Sequence, residues 1–228
     1  MSTVEGGGNI ITNGLVLYLD AANTKSYVSG STTWNDISRG GNNGTLVNGP
    51  TFSSVNLGNI AFDGVDDYVQ IPNSNYLTLG NFTVTSWAIR TTGNTTSFRL
   101  VANGADSDSL TTPGFFLGAT SLNCVFSINP TGVRTSLTTP ITAGIFTCMT
   151  GVYDGSGNMG IYINGQPKTF VSSPTGSTVS NKGIYIGCRT VNDLFWPGNV
   201  ASVQIYNRAL SATEVLQNYN ATKSRFGL

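Results

Sequence analysis

Side chains able to do acid–base or nucleophilic chemistry are few in this chain. Its 228 residues contain no histidine. That removes the Ser-His-Asp and Cys-His arrangements, in which an imidazole takes the nucleophile's proton. Glycosidic cleavage uses two carboxylates flanking one bond. The chain has only two glutamates, Glu5 and Glu214. Glu5 lies in a small, polar N-terminal stretch. Glu214 ends Ser211-Ala-Thr-Glu214, a capping box in which the serine and glutamate side chains each bond the other's backbone amide. An Asp-only acid pair is the arrangement left open, and no catalytic residue is expected.

Metal-binding patterns are also sparse. Cys124, Cys148 and Cys188 sit in separate apolar runs. With no Cys-x-x-Cys spacing and no histidine, a zinc site is not expected. The three read as buried free thiols acting as small hydrophobes. Asp63, Asp66 and Asp67 cluster, and Asp106 and Asp108 fall in Asn103-Gly-Ala-Asp-Ser-Asp-Ser109. Calcium takes about six to eight oxygen ligands. The reading preferred here is a turn at Asp63-Gly64, with Asp67 accepting from loop amides. The second stretch lacks the Gly-x5-Glu half of an EF-hand loop and reads as a polar loop. No cofactor is expected, with calcium as the alternative.

Only 10% of residues are charged, against about 25% in an average protein. Basic and acidic residues number 11 each, for a formal net charge of zero. Such a chain has little long-range field to draw it to nucleic acid or anionic lipid, and neither is an expected partner. Low net charge favours association. No apolar run approaches the roughly 20 residues of a membrane span. Met1 to Asn9 has no basic n-region and no apolar h-region, so no signal peptide is expected. The Asn-x-Ser/Thr sequons at Asn43, Asn81, Asn94 and Asn220 are then expected to be unused.

The elements that must position any site read as strands. Runs at 14–19, 68–71, 82–89, 98–102, 115–117, 124–128, 146–153, 159–163, 184–188 and 200–206 are separated by Gly, Asn, Asp and Pro. This is the pattern of a sandwich or barrel. The run from Phe82 to Ile89 alternates, with a change of phase expected near Ser86 and Trp87. Asn164-Gly165 predicts a two-residue type I′ hairpin. Asp154-Gly155 ends the preceding strand in the same manner, and Asn48-Gly49-Pro50 marks another tight turn. After the capping box, Val215, Leu216 and Tyr219 fall at helical spacing. The reading is a flexible arm over 1–12, containing Gly6-Gly-Gly8, and a single domain over 13–228.

Three segments resemble laminin-G and concanavalin A-like domains, in that family's order. They are Ile60-Ala-Phe-Asp-Gly-Val-Asp-Asp-Tyr-Val69, Val152-Tyr-Asp-Gly-Ser-Gly-Asn-Met-Gly-Ile-Tyr-Ile-Asn-Gly-Gln166, and Gly198-Asn-Val-Ala-Ser-Val-Gln-Ile-Tyr-Asn-Arg-Ala-Leu-Ser-Ala-Thr-Glu214. The resemblance implies an all-β fold: a jelly-roll sandwich of two antiparallel sheets with one short C-terminal helix. Family members often carry Trp and His before the second segment, where this chain has Phe146 and Cys148. Hydrolases of this fold place two Glu around an Asp on one strand, and no Glu-x-Asp-x-Glu exists here. Laminin-G relatives often hold calcium through loop aspartates, which is the alternative for Asp63, Asp66 and Asp67. The aromatic candidates for sugar stacking are Trp34, Trp196 and Tyr27, with Trp87 assigned to the core and Trp196 to an edge of the sandwich.

The opening Gly8-Asn-Ile-Ile-Thr-Asn-Gly-Leu-Val-Leu-Tyr-Leu-Asp-Ala-Ala-Asn23 resembles that of structural proteins of tailed bacteriophages. Trp34-Asn-Asp-Ile-Ser38 and Gly41-Asn-Asn-Gly-Thr-Leu-Val-Asn-Gly-Pro50 continue the likeness. It implies a non-catalytic virion surface protein: a capsid decoration or cement protein, or a tail or fibre component. Such a protein would be made in the host cytoplasm and present in many copies or as a homo-oligomer. It would act through contacts with other virion proteins, with the arm docked on a neighbour. The alternative is a lectin-like receptor-binding or adhesion module whose partner is a cell-surface glycan.

Overall fold

The computed structural model describes residues 9–74, 77, 79–91, 97–104, 113–130, 134–172, 175, 176, 178, 180, 182–189 and 193–228. In chain order the strands are β1 (Leu15–Asp20), β2 (Thr33–Trp34), β3 (Gly44–Val47), β4 (Thr51–Ser53), β5 (Asn59–Asp63), β6 (Tyr68–Ile71), β7 (Phe82–Arg90) and β8 (Ser97–Gly104). They continue with β9 (Gly114–Thr120), β10 (Asn123–Asn129), β11 (Thr135–Pro140), β12 (Thr147–Tyr153), β13 (Asn158–Ile163), β14 (Gln166–Ser172), β15 (Ile184–Ile186) and β16 (Pro197–Tyr206). Helix α1 (Ala212–Thr222) and a 3₁₀ turn (Lys223–Phe226) close the chain. The first sheet runs β14-β13-β12-β7-β16-β5-β4, with β1 also on β16, and the second runs β11-β10-β9-β8-β15-β6-β3-β2. The result is the expected all-β jelly-roll sandwich with one short C-terminal helix. Asp106, Asp108, Asn94, Glu5 and the first eight residues of the arm lie outside the described residues.

Side-chain alternation decides which residues enter the core. On β7, Phe82, Val84 and Ala88 join the main core, while Trp87 belongs to a separate cluster with Cys148 and Ala201. The expected change of phase is absent. The register with β12 runs unbroken from Ala88↔Thr147 to Phe82↔Tyr153. Ser86 keeps the inward phase and donates to the Ser202 carbonyl at 2.9 Å. Trp87 is buried as expected, but on the opposite face of the sheet from the main core. Between the sheets, Phe82 lies 4.4 Å from Phe115 and 6.0 Å from Phe126, centroid to centroid. Gly151 makes room for this packing, since a Cβ there would come within 2.4 Å of the Phe126 ring.

β16 organises the first sheet. Residues 198–206 pair with β7 on one side. On the other side, residues 197–200 pair with β5 and residues 202–206 with β1. A bulge at Ala201 separates the two halves, and the Ala201 carbonyl accepts from Ala21 N at 3.0 Å.

Turn chemistry explains several joints. Asn164 and Gly165 have φ of 51° and 73°, the left-handed pair a type I′ hairpin needs. Asp154-Gly155 is not such a pair. Asp154 instead organises a four-residue loop by accepting from Ser156 N and Asn158 N, both at 2.9 Å. β2, β3, β4 and β11 escape the sequence reading because they are short or polar.

The C-terminus closes the outer face of the first sheet. Ser211 accepts from Glu214 N at 3.3 Å, and Glu214 accepts from Ser211 N at 2.9 Å, as the capping box predicts. Trp87 stacks on Phe226 (4.0 Å, 15°) and on Tyr219 (5.7 Å, 19°), and its indole N–H donates to Thr222 Oγ1 at 2.8 Å. Arg225 bonds Asp20 Oδ1 at 2.7 Å and the Asn56 carbonyl at 2.6 Å, and also reaches the Gly58 carbonyl. The described end of the arm joins this layer within the same chain. Ile11 N donates to Asn218 Oδ1 at 2.8 Å, and Gln217 Nε2 donates to the Asn9 carbonyl at 2.8 Å.

Trp87→Ala removes both stacking partners and the indole bond. It is expected to cost about 3–5 kcal/mol in urea unfolding; a loss below about 1 kcal/mol would show that the C-terminal layer does not depend on this stack. Arg208 beside Glu214, with the Ser211 amide, holds the Glu214 carboxyl down to about 2 from its ordinary 4.5. Because the folded value is the lower one, this stabilisation is complete above the ordinary value and is lost as pH falls towards 2. Glu214→Gln is expected to flatten the stability profile over that acid window and to lower stability at neutral pH.

Candidate functional site

The outer faces of the two sheets differ. That of the first lies under α1 and the final turn. That of the second has no helix packed on it among the described residues. Strand register places a row of side chains across this open face. Thr45 pairs with Gln70, Gln70 with Tyr185, and Tyr185 with Ala102. The row continues through Phe116 to Ser127.

One half of the row is accessible. Thr45 and Gln70 are exposed, and Tyr68 and Tyr185 are half-buried. Val69, Ile71, Ile184 and Ile186 take the inward phase, which turns Tyr68, Gln70 and Tyr185 outward. The two tyrosine rings stack diagonally across β6 and β15 at 6.1 Å and 26°, within the reach of aromatic neighbours on one sheet face. Gln70 Nε2 donates to the Tyr185 hydroxyl at 3.1 Å. Partial burial, with Cys188 and Tyr68 nearby, raises the Tyr185 pKa, so its hydroxyl stays protonated at neutral pH. The patch combines aromatic surface with an amide and hydroxyls, and carries no charge.

The other half is closed. Phe116 and Ala102 are buried with Val125. The Arg99 guanidinium carbon lies 3.7 Å from the Phe116 ring centroid, a cation–π contact. Arg99 Nη1 donates to Ser97 Oγ at 2.6 Å.

The aromatic candidates for sugar stacking are corrected by burial. Trp34 and Trp196 are 0% exposed and Tyr27 is 4% exposed. Tyr27 stacks on Phe52 at 5.7 Å and meets Trp34 edge-on at 6.4 Å. Trp196 sits in the main core, with its indole N–H directed to the Ile89 carbonyl at 3.3 Å. None can present a ring face to a ligand. Tyr68, Gln70 and Tyr185 were not singled out from sequence, although their phase in two alternating strands was legible.

Glu214 forms an ion pair with Arg208 at 2.6 Å, so its carboxylate is engaged in the helix cap. All three cysteines are free and buried, and burial pushes the Cys148 and Cys188 thiols up to about 12. The side chains of Asp63, Asp66 and Asp67 do converge, with a carboxylate oxygen from each within 4.8 Å of the others. Asp63 Oδ1 accepts from Val65 N at 2.8 Å, and Asp67 Oδ2 from Asp63 N at 3.0 Å. The Asp63 carboxyl is shifted down by these amides. Asp67 is shifted up by burial and by the charges of Asp63 and Asp66. The trio could supply three of the oxygens a calcium ion needs, or serve the turn alone.

Asp67→Asn separates these uses. Its carboxamide oxygen can still accept from Asp63 N, while the buried charge is gone. In chelator at neutral pH it is expected to raise Tm. A raised folded pKa means the ionised form opposes folding, so the gain vanishes as acid protonates Asp67. A wild-type Tm that rises with millimolar calcium, and an Asp67→Asn Tm that does not, would assign the trio to the ion.

Among curated proteins none matches the sequence significantly. Solved structures resemble the fold throughout. Domain 4 of AbnA, an extracellular arabinanase from Geobacillus stearothermophilus, solved with arabinotriose, superposes with a TM-score of 0.72 at 15% identity, covering 92% of this chain and 100% of that one. The binding domain of Paraclostridial Mosquitocidal Protein 1 gives 0.70 at 17% identity, covering 91% of this chain and 52% of that one. The binding domain of botulinum neurotoxin serotype G gives 0.72 at 15%, covering 90% and 50%. The chain therefore spans about half the length of the toxin binding domains it matches. Residues 63–216 match the laminin-G model of the concanavalin A-like lectin/glucanases, which is most of the sandwich, and the chain belongs to that superfamily.

Proposed function

We propose that this chain is a non-catalytic glycan-binding module whose ligand lies against Tyr68, Gln70 and Tyr185 on the outer face of the second sheet. The observation that carries this reading is the stacked tyrosine pair, bonded to an exposed amide on the uncovered face. A pyranose or furanose ring has an apolar C–H surface and a hydroxyl rim. The tyrosine rings suit the first, while Gln70, Thr45 and the tyrosine hydroxyls suit the second. The lack of charge in the patch favours a neutral sugar. The arabinanase domain solved with arabinotriose supports the reading by likeness of fold.

A second reading is a structural component of a virus particle, acting through contacts with its other proteins. The phage-like opening and the 10% charged content favour it. The two readings are compatible, because a module repeated on a particle can sum weak glycan contacts through avidity.

The test is a glycan array of neutral oligosaccharides, followed by titration calorimetry on any ligand found. Tyr185→Ala is expected to weaken binding by about tenfold or more, equivalent to about 1.4 kcal/mol, while the fold is retained at a cost of no more than about 1 kcal/mol. Gln70→Ala is expected to have a smaller effect. A ligand whose affinity ignores Tyr68→Ala, Gln70→Ala and Tyr185→Ala would place binding elsewhere.

A further inference from the structure

Arg90 is the last residue of β7. It follows the inward phase of Phe82, Val84 and Ala88, so its side chain enters the space between the sheets. Its guanidinium carbon lies 5.7 Å from the ring centroid of Phe98, the second residue of β8. Arg90 is 3% exposed. Nε, Nη1 and Nη2 are all buried, and none has a hydrogen-bond partner among the described residues. The ion pairs among the described residues join Arg189 to Asp193, Arg208 to Glu214 and Arg225 to Asp20, and none includes Arg90.

A guanidinium keeps its charge and offers five N–H donors. Burying it without an acceptor is strongly unfavourable. The Phe98 ring offers its negative face but no lone pair. The neighbouring strand cannot supply a carboxylate at this level. Arg90 pairs with Gly198 on β16, where a Cβ would lie 2.1 Å from the Ile89 carbonyl oxygen and 3.0 Å from Arg90 Cα. Asp63 pairs with Pro197, one residue away on β16, yet neither it nor Asp66 or Asp67 forms an ion pair with Arg90. The charge also sits at a strand end, near the rim of the sandwich.

We propose that Arg90 anchors an oxyanion subsite at this end of the sandwich, taking a carboxylate, sulfate or phosphate group in the fork of its guanidinium. Planar, two-point pairing of this kind is what arginine does best with oxyanions. The oxyanion is either a free ion or an acidic group carried on a larger ligand. The subsite lies between the sheets, whereas the tyrosine patch lies on an outer face, so the two proposals stand or fall separately.

The probes are sodium sulfate and sodium acetate at constant ionic strength, followed by a sulfated and a uronic oligosaccharide. Sulfate stabilises proteins generally by exclusion from their surface, so wild type is compared with Arg90→Gln and Arg90→Lys. Wild type is expected to show saturable thermal stabilisation. Arg90→Gln should weaken it by about tenfold or more, with Arg90→Lys in between. The Arg90 Nε–Hε signal in ¹⁵N NMR of wild type should shift along the same curve, which decides the matter if Arg90→Gln does not fold. Saturation by the free ions alone identifies a free oxyanion, and tighter saturation by either oligosaccharide identifies a carried one. An unmoved Arg90 signal with all four probes, or equal stabilisation of wild type and Arg90→Gln, would overturn the proposal.

Discussion

A two-sheet sandwich has four faces, and packing the sheets together hides only two of them. The other structural features follow from how the chain treats the remaining pair. It lays α1 and a 3₁₀ turn over the first sheet, held by the stack of Trp87, Phe226 and Tyr219. That choice buries both phases of the central strands of the first sheet, which is why Trp87 on β7 is nearly as buried as Phe82. It also leaves the second sheet as the one whose outer face carries no helix among the described residues. The proposed ligand surface is thus a consequence of where the C-terminus docks.

Charge is used sparingly, and mostly to pin irregular chain. Arg225 ties the last turn to Asp20 and to the carbonyls of Asn56 and Gly58. Arg208 and Glu214 fix the entry to α1. Asp36 accepts from Tyr18 N, Ser38 N and Asn42 N, folding a loop against the free edge of β1. Each charge meets hydrogen-bond partners in fixed geometry, the setting in which such contacts are strongest. Against this pattern Arg90 stands out, since among the described residues its buried guanidinium meets the Phe98 ring and no hydrogen-bond acceptor.

The aromatic residues show where residue type misleads. Trp34, Trp196 and Tyr27 are the large rings that a sugar site would recruit, and all three are packed in the core. A large ring in a sandwich gains most from burial, and aromatic–aromatic contacts add to that gain. Tyr68 and Tyr185 are less conspicuous in the sequence. They face outward because Val69, Ile71, Ile184 and Ile186 take the inner positions, and period-two geometry leaves no other choice.

Local chemistry was therefore legible from sequence. The alternating runs, the Asn164-Gly165 turn, the Ser211–Glu214 capping box and the buried thiols all follow from neighbours within a few residues. So did the superfamily, through three ordered segments. The tertiary structure alone decided which outer face is covered, that Trp87 packs under a helix rather than between the sheets, and that Tyr68 and Tyr185 meet although they lie 117 positions apart in the chain. The reason is physical. Alternation tells which residues share a face of a strand, but only strand order and the docking of distant segments tell what that face meets.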